Sequence, residues 1–237
     1  MKRTGLLFLV VSFGLVGASA QQRYSAAGAV VNSRHDLSLG STGSNYKASM
    51  QSQTCVFCHT PHNSNPAAPL WNHQMTGSTY TLYSSTTLKS TMAQPLPNSN
   101  TKLCLSCHDG TVALGNTVND GNITLQNSVT VLPATAGQSY TPARSTNLGT
   151  SLAADHPVAF TQPAVTLPAY PQIQVPATGD PVQLENGLLE CTSCHNPHEE
   201  AVDTTERRFL RKVNSGGAIC ITCHVLEAGS LATNKWS

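Results

Sequence analysis

All eight cysteines of this 237-residue chain fall into Cys-x-x-Cys-His units, and this constrains the fold more than any other feature. The four units are Cys55, Cys58 and His59; Cys104, Cys107 and His108; Cys191, Cys194 and His195; and Cys220, Cys223 and His224. The first and third share a longer frame, Cys-x-x-Cys-His-x-Pro-His, ending at His62 and His198. The second and fourth are plain.

Each unit reads as a c-type haem attachment site. Two thiols at this spacing add across the two vinyl groups of one porphyrin, and the histidine that follows becomes an axial ligand to the iron. Zinc sites, disulfides or a thioredoxin-like redox pair would also use cysteines so spaced, but none of them requires the histidine. Histidine is 9 of 237 residues, so four chance repetitions have a probability on the order of one in a million. The expected cofactor complement is four covalent c-type haems.

Residues 1–20 read as a signal peptide. Lys2 and Arg3 precede an apolar run from Leu6 to Val16, and Ala18-Ser19-Ala20 resembles a cleavage site. The run is shorter than the roughly 20 residues of a spanning helix, and no later segment reads as a membrane span. Export suits the cofactor, because this kind of attachment is expected beyond the bacterial inner membrane. Setting aside Lys2 and Arg3 leaves 11 basic against 12 acidic residues, a formal charge of −1. Haem propionates would make the loaded protein clearly acidic, which argues against nucleic acid as a partner.

Aromatic residues are 5% and charged residues 11% of the chain, so there is little material for an ordinary side-chain core. The expected fold is mostly irregular coil with few short helices and strands, its interior filled by haem. Three parts follow the signal: a first two-haem unit over 21–132, a Pro-rich connecting segment over 133–181, and a second two-haem motif pair over 182–237. The connecting segment holds eight of the 14 prolines, which favours an extended path. Within this frame Thr101 to Cys107 reads as a helix and Thr111 to Leu132 as one or two short strands. Glu185 to Cys194 also reads as helical. A capped basic helix is expected from Asp203 through Arg207 to Lys212, ending near Gly216-Gly217, as a solvated face or a neighbour of propionates.

With His59, His108, His195 and His224 as proximal ligands, four sixth positions remain. The histidines left over are His35, His62, His73, His156 and His198. Position in the repeat assigns His62 to the haem at Cys104 and Cys107, and His198 to the haem at Cys220 and Cys223. His35 and His156 then serve the haems at Cys55/Cys58 and Cys191/Cys194. His73 has no counterpart in the second half and reads as a surface or propionate-contacting residue. Bis-histidine ligation throughout closes every iron to substrate and favours electron transfer.

With its signal peptide, four motifs, long forms ending at His62 and His198 and upstream His35 and His156, the chain resembles the multihaem c-type cytochromes with doubled motifs. More closely, it is similar to the extracellular tetrahaem cytochromes that polymerise into filaments, the OmcE-type nanowires. That resemblance implies closely packed haems in a loop-rich subunit, polymerisation with copies of itself, and electron transfer to other cytochromes or external acceptors. It also implies one iron ligated by a neighbouring subunit's histidine, for which His35 is the candidate. A monomeric periplasmic shuttle and a multihaem oxyanion reductase are the alternatives.

Overall fold

The computed structural model describes residues 30–86, 88, 99–133, 146–161, 173–202 and 208–225. The expected signal peptide, residues 134–145 and 162–172 of the Pro-rich segment and residues 203–207 of the expected basic helix lie outside them. As composition predicts, the chain is mostly coil. Among the described residues its regular elements are helix α1 (Asn100–His108), the single turn α2 (Cys191–Cys194), five three-residue 3-10 turns and four two-residue strands. Strand β1 (Thr81–Leu82) pairs in parallel with β2 (Ser151–Leu152), and β3 (Phe160–Thr161) pairs antiparallel with β4 (Leu188–Leu189).

The expected helix at 101–107 forms, extended by one residue at each end. Ser99, in an extended conformation, precedes it. Gly110, at φ +72°, follows its end, where an added Cβ would lie 2.3 Å from the Asn147 side chain. The left-handed conformation and the close approach both favour glycine there.

Three expectations are corrected. Residues 111–132 form no strand; they contribute only isolated bridges, Thr117 to His73, Asn116 to Asn122 and Leu125 to Ala48. The segment from Glu185 is not helical until Cys191. Asn186 and Gly187 both have positive φ, 53° and 80°, and Glu185 and Leu188 exchange backbone hydrogen bonds at 2.9 and 3.0 Å. Asn-Gly favours this tight hairpin turn over helix. The described part of the basic segment, Arg208 to Lys212, is likewise not helical, because Phe209 sits at φ 58° and Leu210 bridges to His195.

Two small apolar clusters exist. One gathers Tyr80, Leu82, Leu105, Leu152 and Ala159; the other gathers Ala48, Phe57, Leu114, Leu125 and Leu132, with Cys58 and Cys107 against it. Among the described residues the buried side chains comprise 17 polar or charged and 13 hydrophobic ones, so side-chain packing alone makes a thin interior.

Candidate haem-attachment site

Every motif is wound into one tight turn. The His59, His195 and His224 amides donate to the carbonyls of Cys55, Cys191 and Cys220 at 2.8, 3.0 and 2.9 Å. The second motif is the last part of α1. A turn of this pitch puts both cysteines and the histidine on one side of the chain.

The two long forms are locked in the same way by a returning segment. Thr60 N donates to Leu70 O at 2.9 Å and Asn72 N to Cys58 O at 2.9 Å. In the second half Asn196 N donates to Phe209 O at 2.7 Å and Arg211 N to Cys194 O at 2.9 Å. Leu70 and Phe209 both take positive φ, 61° and 58°. Asn72 Nδ2 and Arg211 Nε each reach the carbonyl of the motif's second residue, Val56 and Thr192. Sequence reasoning missed these returns because they sit at unequal distances from their motifs and share no residue types.

All eight cysteines are free thiols. Burial, aided by Cys55, pushes the Cys58 thiol up to about 11. Burial, aided by neighbouring thiols, does the same for Cys194, also to about 11, and burial raises Cys107 as well. Among the described residues no three His, Cys, Asp or Glu side chains are grouped to hold a metal ion by themselves.

Histidine rings meet in three pairs. His59 faces His198 with centroids 5.9 Å apart and planes at 16°. His35 faces His108 at 6.0 Å and 64°, and His156 faces His224 at 6.2 Å and 78°. Rings in face contact sit closer, as His35 and Phe209 do at 4.1 Å and 13°. Two imidazoles sharing one metal, each bonded at about 2.0–2.1 Å, have centroids roughly 6 Å apart. Each pair brings one motif histidine to one upstream or extension histidine at a centroid spacing that would fit a shared iron. Together with the free thiols on the motif turns, this fits haem c.

The partners differ from those the repeat suggests. His59 faces His198 rather than His35, His108 faces His35 rather than His62, and His224 faces His156 rather than His198. Simple repetition assumes that each half supplies its own ligands, whereas the segment around His198 crosses to the first motif. His62 and His195 are both exposed and join none of these pairs.

Backbone carbonyls fix the ring orientations. Nδ1 of His108 donates to Thr146 O at 2.7 Å, that of His156 to Pro157 O at 2.9 Å, and that of His195 to Arg208 O at 2.8 Å. The His35 contact with Pro197 O is longer, 3.5 Å. A ring that donates through Nδ1 keeps its Nε2 lone pair for a metal. Burial, helped by His108, lowers His35 to about 4, and burial also lowers His108 and His224. These imidazoles are thereby held in the neutral, ligating form.

His73 is the exception and corrects the surface reading. It is fully buried, with Nδ1 3.0 Å from Gln74 O and Nε2 3.1 Å from Ala113 O. Both nitrogens face carbonyls, which leaves none for iron. Its structural counterpart in the second half is Lys212, which reaches Thr222 in the fourth motif as His73 reaches Cys107 in the second.

Covalent attachment turns, free thiols and opposed imidazoles together support a multihaem c-type cytochrome, a class concerned with electron transfer. Residues 183–229, spanning the third and fourth motifs, match the family described as the doubled CXXCH motif. No curated protein matches the chain. Proteins of this class are usually exported, and among the described residues no helix is long and apolar enough to cross a membrane.

Proposed function

We propose that this chain is an exported, extracellular tetrahaem cytochrome that conducts electrons along a homopolymeric filament to external acceptors. Its motif pairs lie in segments 21–132 and 182–237, joined through 133–181, and residues 1–20 direct export. The observation that carries the reading is the set of three imidazole pairs at 5.9, 6.0 and 6.2 Å. The haems, attached through the eight motif cysteines, supply one-electron chemistry. His59, His108, His195 and His224 serve as proximal ligands; His198, His35 and His156 serve as distal ligands to the first, second and fourth sites.

This count leaves one donor and one acceptor. His62 is exposed on a backbone pinned by Thr60 Oγ1 and Asn119 Nδ2, both donating to its carbonyl. His195 lacks an opposing ring among the described residues. His62 of one subunit closing the third site of the next replaces His35 as the donor in trans, since His35 is engaged with His108. Electron microscopy and electronic spectra of the secreted protein test this. The expected result is filaments that His62→Ala converts to monomers with one high-spin haem of four; filaments unaffected by the substitution would refute the assignment.

The unpaired His195 also favours a second reading, a reductase with its open site at the third motif. Assembled wild-type protein that takes up carbon monoxide at one haem would support it over the conductor.

A further inference from the structure

Glu190 is an acidic side chain in an uncommon setting. It is buried, with 3% of its surface exposed, and among the described residues it makes no ion pair. Its Oε2 accepts from Ser99 Oγ and Thr101 N, each at 3.1 Å, and from Thr101 Oγ1 in a short contact. Its Oε1 has no hydrogen-bond partner. The carboxylate belongs to the second half, immediately before Cys191, yet it occupies the N-terminal end of α1 in the first.

Around it the second and third motifs are fastened together. Cys191 N donates to Thr101 Oγ1 at 3.2 Å, and Asn100 Nδ2 to Thr192 Oγ1 at 3.3 Å. Three donors on one oxygen exceed the two lone pairs of a glutamine carbonyl, so the donor set itself favours a charged carboxylate here against the cost of burying it. The helix N-terminus favours that charge, and an anion in a poorly solvated interior acts strongly on nearby redox centres. Oxidised haem carries one more positive charge than reduced haem, so a neighbouring anion stabilises the oxidised form.

We propose that Glu190 is a positioning and potential-setting residue: it holds the second and third attachment turns against each other and depresses the reduction potentials of the two haems attached there. The inference rests on the reading that both turns carry haem.

Spectroelectrochemical titration of the haem-loaded full chain, with porphyrin content measured by mass, tests it. In Glu190→Gln two of the four midpoint potentials rise, the ferrous-to-ferric ratio at fixed potential growing about tenfold, equivalent to about 59 mV for a one-electron couple. Glu190→Asp keeps the charge and leaves the four potentials in their wild-type order and spacing. Haem loss from Glu190→Gln but not from Glu190→Asp also supports a role for the charge. Unchanged potentials in haem-loaded Glu190→Gln, an equal shift of all four, an equal effect of Asp and Gln, or haem loss from both variants overturns the inference alone. Wild-type protein without added porphyrin mass overturns the functional reading together with it.

Discussion

An imidazole can ligate a metal only through a nitrogen that is not already hydrogen-bonded, and this separates His73 from the other histidines. Sequence position could say that His73 lacked a counterpart, but not that Gln74 and Ala113 occupy both its nitrogens. The candidate attachment cysteines and their adjacent histidines stand out in the sequence itself, because that chemistry is written in a five-residue spacing. Ligand partners were not legible, since they depend on which distant segments meet. The same scale carries a pH prediction. His35 is lowered by burial to about 4 from an ordinary 6.5. Between those values the unfolded chain takes up a proton there and the native chain does not, so stability falls as pH falls. In the haem-free chain, where iron does not hold the ring, the expected loss is about 2 kcal/mol from His35 alone, measured as a lower denaturant midpoint at pH 4.5 than at pH 7.

The elements of this protein are short because its motifs work as turns, and each long form needs a returning segment to hold it. Leu70 and Phe209 take the left-handed conformation at the same point of the two returns, but their surroundings differ. Leu70 is exposed, while Phe209 is buried and stacked on His35. Left-handed backbone costs a non-glycine residue roughly 1–2 kcal/mol. Leu70→Gly is therefore expected to leave stability unchanged or raise it by up to about 1 kcal/mol. Phe209→Gly should cost about 3 kcal/mol or more through lost packing; chemical denaturation of the two variants checks the contrast. Helix α1 was legible from its own residues. The Asn186-Gly187 turn was also written locally, yet the neighbouring apolar residues read as helical because a turn closed by the single bridge of Glu185 and Leu188 and followed by a two-residue strand offers too little alternation to compete.

At the scale of the whole molecule the two halves are interlocked. His198 faces His59, Glu190 holds α1, and Arg34 Nε lies 3.4 Å from the buried Glu200 carboxylate. Composition foretold the coil and the thin side-chain interior, but equal repetition concealed the crossing. His198→Ala is expected to convert one haem to a high-spin state while the other sites retain their spectra, as measured by magnetic circular dichroism. A high-spin change assigned to the haem at Cys220 and Cys223, instead of the one at Cys55 and Cys58, would return the pairing to the repeat order. The crossing also orders assembly. In a chain delivered from its N-terminus the first motif at Cys55 is available long before His198, so the earliest centre to be assembled is among the last to be sealed.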